Sequence, residues 1–248
     1  QRYEAHSVEV DRGALDWLIQ IDGPLASGSV TVPYDFSADR PIELDMKTLV
    51  LPGDDTSDQT GAPDTDPRTL PAISLAAEEF AIGNRHFGNT SADFEKTTTG
   101  IYTSNLVATD PTFRIIGTAG WIAETSDPGQ SQSYITATLE STDVLETMRR
   151  LDYELGIDSE DLGILLDIAW SGGPRLDIFE TLNGEVQVRL GSGQLVEVEP
   201  GAGRVFGLIS IVALPRRLSL DFRDVFDKGF GFDEIAGTFN ISNGVATT

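Results

Sequence analysis

Apolar residues recur at every second position over much of this chain, in short runs. Leu15, Trp17, Ile19 and Ile21 alternate with polar or less apolar neighbours, as do Val30, Val32 and Tyr34, then Ile42, Leu44 and Met46. A period of two puts alternate side chains on one face of an extended strand. Extended runs are also predicted at Ala72–Ile82, His86–Lys96, Gly100–Ala108, Thr112–Ala123 and Tyr134–Glu140, with turns at Gly23-Pro24 and Asp127-Pro128-Gly129. Gly163–Trp170 places Ile164, Leu166, Ile168 and Trp170 on one face, and Gly184–Leu190 does the same for Val186, Val188 and Leu190. Leu176–Phe179, Leu195–Val198, Leu218–Phe222 and Thr238–Ile241 read as extended, and Gly244-Val245 opens another run.

Two stretches break the period. Asp143 and Glu146 have capping-box spacing, Val144, Met148, Leu151 and Leu155 share one helical face, and Gly156 is placed to end the helix. A second helix is predicted near 202–214. From Val205 to Leu214 only Gly207, Ser210 and Ala213 interrupt large apolar side chains, and Pro215 stops the run. Glu197 and Glu199 before it and Arg216 and Arg217 after it suit the helix dipole. Crossing a bilayer takes about 20 residues, roughly twice this run. Such a helix is expected to pack against, or plug, an apolar surface made by the rest of the chain.

The fold predicted from these patterns is mainly β, about a dozen antiparallel strands with one apolar face each, plus two short helices near 143–155 and 202–214. No βαβ alternation is present, which argues against a parallel α/β fold. One-sided strands must cover their apolar face. They can pack on one another as a sandwich, or leave a trough for a guest, and the pattern alone allows both. The stretch 53–69, rich in Asp, Thr, Gly and Pro, is expected to be a solvated acidic loop, and its spacing does not match a calcium-binding EF-hand.

Charge and chemistry narrow the function. Forty acids against 17 Lys and Arg give a net charge of −23, which argues strongly against a nucleic-acid partner. The absence of cysteine excludes disulfides and thiolate chemistry. His6 and His86 lack neighbours at metal-ligand spacing, and HExxH, GxSxG, P-loop and dinucleotide motifs are absent. No enzyme activity, cofactor or metal is therefore expected. Carboxylates such as Glu78, Glu79, Asp93 and Glu95 read as exposed strand charges rather than a glycosidase pair. Trp17, Trp121 and Trp170 sit among apolar neighbours, so core or groove lining is expected over a sugar platform. The chain starts at Gln1 without Met and ends after a strand-like run, so it is expected to be one segment, residues 1–248, of a longer polypeptide.

A long block near the C-terminus resembles the YhdP proteins of the AsmA-like superfamily, relatives of AsmA and TamB. It includes Leu182-Asn-Gly184, Gly193-Gln-Leu195, Val198-Glu-Pro-Gly-Ala-Gly-Arg204, Phe206-Gly-Leu208, Ala213-Leu-Pro-Arg-Arg-Leu218, Leu220-Asp-Phe-Arg-Asp-Val-Phe226 and Phe232-Asp-Glu-Ile235. Upstream, Asp16-Trp17, Ile21-Asp-Gly-Pro24, Leu70-Pro71, Gly120-Trp121 and Trp170-Ser-Gly-Gly-Pro174 fit the same family. The resemblance implies a fragment from the C-terminal third of a periplasmic bridge, tethered to the inner membrane by a part outside this chain. It implies a long curled sheet with an apolar inner groove, through which phospholipid passes toward the outer membrane. The expected groove residues are Ile164, Leu166, Ile168, Trp170, Val186, Val188, Leu190, Val205, Leu208, Ile209 and Val212. Expected partners are phospholipid acyl chains, the rest of the same polypeptide on both sides, and other envelope proteins. The competing expectation is a structural module for outer-membrane assembly with no conduit of its own.

Overall fold

The computed structural model describes residues 7–36, 40–53, 65–124, 130–153, 156–174, 178–195 and 230–248. Short alternating runs extend as predicted and pair edge to edge in nearly the order of the chain. They are β1 (Ser7–Arg12), β2 (Asp16–Asp22), β3 (Ala26–Pro33), β4 (Ile42–Leu51), β5 (Ile73–Ile82), β6 (Arg85–Lys96), β7 (Gly100–Thr109), β8 (Phe113–Ala123) and β9 (Ser131–Ser141). The helix α1 (Val144–Arg150) and the short β10 (Ile157–Ser159) follow, then β11 (Leu162–Ser171), β12 (Asn183–Leu190), β13 (Gly193–Leu195), β14 (Phe230–Phe232), β15 (Ile235–Ser242) and β16 (Val245–Thr247).

Thirteen strands form one open sheet in the order β1-β2-β3-β4-β5-β6-β7-β8-β9-β11-β12-β15-β16, and β10, β13 and β14 form a small second sheet. The large sheet ends at β1 and β16 and does not close into a barrel.

One pair departs from the antiparallel order. β4 and β5 run parallel, with Ile42 opposite Ile73 and Leu51 opposite Ile82. A parallel neighbour needs a connection of about a dozen residues or more to return the chain to the same end. Residues 52–72, which contain the acidic stretch, make that return. Their described part includes a 3-10 helix, Pro67–Thr69, that packs against β7 and β8 and buries Pro67. Asp66 caps it by accepting from Arg68 N at 3.0 Å, and Arg68 also grips the same carboxylate through Nε and Nη2.

The helix predicted at 143–155 is shorter than expected. Asp143 caps its start, accepting from Glu146 N at 3.2 Å. It ends at Arg150, because Asp152 adopts φ 62° and turns the chain there. Tyr153 N then donates to Met148 O at 2.8 Å and Asp152 N to Arg149 O at 3.2 Å, the paired bonds of a Schellman end. Leu176–Phe179 was expected to be extended; Phe179 instead begins a 3-10 helix, Phe179–Thr181, and residues 175–177 lie outside the described part. The helix expected at 202–214 and the strand expected at Leu218–Phe222 also lie outside the described residues.

Candidate functional site: an apolar sheet face

Residues opposite one another in adjacent strands point to the same side of a sheet. Following the register from strand to strand therefore tells which side chains share a face. Leu162 lies opposite Leu190 and Ser141, Ile164 opposite Val188 and Leu139, Leu166 opposite Val186 and Ala137, and Ile168 opposite Gly184 and Ile135. Val186 and Leu190 continue to Phe239 and Ile235 on β15, while Leu139 and Ala137 continue to Ile115 and Gly117 on β8.

The same face continues to the far edge. Ile115 pairs with Ala108 on β7, Ala108 with Thr90 on β6, Phe94 with Ile73, and Leu75 with Leu44. Leu44 pairs with Val30, Val30 with Ile19, and Ile19 with Val10 on the edge strand. One side of the thirteen-stranded sheet is thus apolar from β1 to β15.

The reverse side is mixed, with charged rows set between rows that carry Val107, Ile116 and Leu165, or Tyr102 and Tyr134. Arg114, Glu140, Gly163 and Arg189 make one row across it, and Thr118, Thr136, Asp167 and Glu185 another. Towards β5–β7, Ser74 Oγ donates to Asp93 Oδ1 at 2.6 Å and Asn105 Nδ2 to Asp93 Oδ2 at 2.7 Å. Those two hydrogen bonds hold the Asp93 carboxyl below the usual carboxylate range.

Glycine permits a close strand approach near the Trp170 end of the apolar side. Gly184 has φ 136°, and a Cβ there would sit 2.1 Å from the Asp167 carbonyl oxygen. No larger residue fits that position without moving β11 from β12.

At one end the apolar side is walled. Val144 and Met148 of α1 pack with Ile157, Leu162 and Leu190 into a buried cluster, with Leu139, Ile164, Val188, Phe232 and Ile235 against it. Thr147 Oγ1 donates to Thr112 O at 3.2 Å and shares a 2.8 Å hydrogen bond with Ser141 Oγ. Arg85 at the start of β6 stacks its guanidinium 5.9 Å from the Tyr153 ring. One seven-residue helix and its C-terminal turn thus touch strands from β6 to β12, so this end of the sheet wraps around it.

Away from the wall the face is neither buried nor bare. Leu162 and Leu190, under the helix, are 5% and 6% exposed. Ile164, Leu166, Ile168, Trp170, Val186 and Val188 are half-buried, and Val10, on the edge strand, is 55% exposed. No second layer among the described residues fills the middle of this face in the way that α1 fills its end. A hollow of about 960 Å3 lies on the reverse side, around Arg114, Glu140, Gly163 and Arg189. Its wall mixes both charges, and Asp161 already holds Arg189 at 2.5 Å. It is separate from the apolar face.

Seven of the expected groove residues, Ile164, Leu166, Ile168, Trp170, Val186, Val188 and Leu190, share this face on two adjacent strands. The other four, Val205, Leu208, Ile209 and Val212, lie outside the described residues. β13 and β14 show where that stretch leaves and returns: Gly193 lies opposite Phe232 at the walled end of the sheet. The face continues through Ile135, Ile115, Phe239 and Ile19, residues outside the expected groove set. Among the described residues no group of three or more His, Cys, Asp or Glu could hold a metal, and no helix is long and apolar enough to cross a membrane.

The model of a family described as "YhdP protein" matches residues 1–248. A curated relative in Escherichia coli (strain K12), called "Intermembrane phospholipid transporter YhdP", is 26% identical over 182 residues, which is 73% of this chain and 14% of the relative. The match thus spans only a small part of that relative's length. No solved structure matches.

Proposed function

This chain belongs to the YhdP family, and from that premise we propose that its apolar sheet face is one segment of a conduit carrying phospholipid between two membranes. The observation that carries the reading is the run of apolar positions in register along one face from Val10 to Ile235, with most of the strand carboxylates behind it. Thirteen strands at about 4.8 Å make a path of roughly 58 Å. Acyl chains laid on it leave water at about 0.8 kcal/mol per buried methylene, with no charged contact needed. A surface that holds a guest by area alone also lets it slide, since no directional bond must break.

The relative's printed role in intermembrane phospholipid transport supports this reading. Residues 1–248 act as a single stretch of the bridge, in the periplasm of a two-membrane envelope. Neighbouring parts of the same polypeptide continue the sheet at β1 and β16 and supply the inner-membrane tether. The lipid is cargo, and no bond in it is made or broken.

Charge placed on either side tests the assignment in the full-length protein. Leu166→Asp with Val186→Asp on the apolar face should abolish most phospholipid transfer between membranes while the protein still accumulates. Leu165→Asp, on the reverse face, should leave transfer intact. Equal loss from both, or loss only from the second, would contradict the conduit.

A further inference from the structure

All three tryptophans of the chain stand on the apolar side of the sheet and at one end of it, opposite the α1 wall. Lys96, Ile101, Trp121, Ser133 and Trp170 form a single row across β6, β7, β8, β9 and β11. Trp17 occupies the equivalent end of β2, opposite Arg12 on the edge strand. Trp121 Nε1 donates to Ser131 Oγ and Trp170 Nε1 to Gly173 O, both at 2.9 Å, so neither indole needs a further partner. Trp17 meets Tyr34 edge to face with centroids 5.4 Å apart, and the Arg12 guanidinium lies 5.9 and 5.7 Å from the two rings.

A residue with an apolar body and a polar handle concentrates where hydrocarbon meets water. The opposite end of the same face uses Phe113, Leu162, Leu190 and Ile235 instead and is sealed by protein.

Charge is sorted to the same rim. Outside the irregular stretches 47–51, 78–82 and 85–88, the charged residues in register with the apolar side of the large sheet are Arg12 and Lys96. Both are basic, in a chain with 40 acids against 17 Lys and Arg. Neither has a carboxylate within ion-pair distance among the described residues. Outside those stretches the acids of the strands lie on the reverse side, so this rim is a basic edge on an acidic protein.

We propose that the tryptophan rim is a head-group site. A phospholipid lies along the strands with its acyl chains pointing to the walled end and its phosphate at the rim, where Lys96 on β6 or, five strands away, Arg12 on β1 meets its negative charge. This rests on the lipid reading above and adds a fixed polarity to it. From Ile164, where the wall ends, to Trp170 is six residues, about 20 Å at ~3.3 Å each. One leaflet of a bilayer gives its chains about 15 Å, so the chains fit between wall and rim. Lipids travelling along the sheet then keep their head groups on one side throughout.

Photoreactive benzoylphenylalanine in the full-length protein, in cells, tests the polarity. It is placed singly at the rim (Trp17 or Lys96, both exposed) or beside the wall (Ile164 or Val188), and the captured lipid is fragmented to locate the new bond. Rim positions should bond to the glycerophosphate region or the first methylenes, and wall positions to the chain ends. The reverse order, or the same distribution from both, would overturn the proposal. No lipid at any of the four positions would overturn the conduit reading itself, a result that does not depend on where a bond forms. As an independent readout, the purified full-length protein with the crosslinker at Ile19 (to read Arg12) or at Phe94 (to read Lys96) is offered vesicles of equal phosphatidylglycerol and phosphatidylethanolamine. Arg12→Gln and Lys96→Gln should each lower the phosphatidylglycerol share of captured lipid, by up to about fivefold. An unchanged share would remove these two residues from the site.

Discussion

Arg150 of α1 places Nε and Nη2 on a single oxygen of Asp110, Oδ2, at 3.0 and 2.7 Å, fixing the helix to the turn between β7 and β8. The other oxygen of Asp110 accepts from Thr112 N and Oγ1 at 3.1 and 3.0 Å. The carboxylate side chain is 1% exposed, whereas the Arg150 side chain keeps 29% of its surface in water. The wall of the trough thus hangs on one buried charge with all its hydrogen bonds made.

Asp110 gives the wall an acid limit. Burial pushes its carboxyl up, but hydrogen bonds from Arg150 and Thr112 and the Arg150 charge outweigh it and hold it below the usual range. A depressed folded value means the contribution is complete above the unfolded aspartate value of about 3.9 and is lost as pH falls through the folded one. Urea midpoints should therefore hold steady from neutral pH down to about 5 and then fall. Asp110→Asn should lose about 3 kcal/mol at pH 7, because it leaves Arg150 without its partner, and should flatten the acid limb. An acid limb of unchanged steepness would show that other carboxylates set it.

Met148 tests the wall as packing. It is 7% exposed and touches the cluster under α1. Met148→Ala should cost about 3 kcal/mol in urea unfolding, the usual range for emptying such a site. Hydrogen exchange should quicken at 162–164 and 188–190 and stay unchanged near Trp170. Loss of protection along the whole of β11 would show that the wall holds the sheet together rather than its end alone.

Asp152 tests the helix stop. A residue other than glycine at φ 62° carries strain that glycine lacks. Asp152→Gly should gain about 0.5 kcal/mol and Asp152→Val should lose about 1–2 kcal/mol. Equal stability of the two variants would show that the Schellman hydrogen bonds do not depend on this conformation.

Much of the sheet was legible because alternation is local. Ile164 to Trp170 and Val186 to Leu190 announce one apolar face each, and pairing Ile164 with Val188 merges them. Direction was not legible. Alternation reads the same either way along a strand, so the parallel step between Ile42 and Ile73 had no signature beyond a long connection. Ser7–Arg12 was missed because two valines are too few for a period, and the three-residue β10 and β13 are shorter than any window. The helix stop was assigned to Gly156 because glycine is the usual left-handed residue, while Asp152 took that conformation with its own backbone bonds. The basic rim could not be seen in one dimension. Arg12 and Lys96 are ordinary strand-end charges until the register lines them up with Trp17 and Trp121.

The account turns on which side of the sheet meets lipid, and adjacent residues on one strand decide it. Photoreactive benzoylphenylalanine at Leu166 or Val186 faces the trough, and at Leu165 or Gln187 it faces the reverse side. In cells making the full-length protein, the first pair should capture phospholipid and the second should capture none. Capture from Leu165 and Gln187 at the level of Leu166 and Val186, or from the reverse side alone, would contradict the conduit.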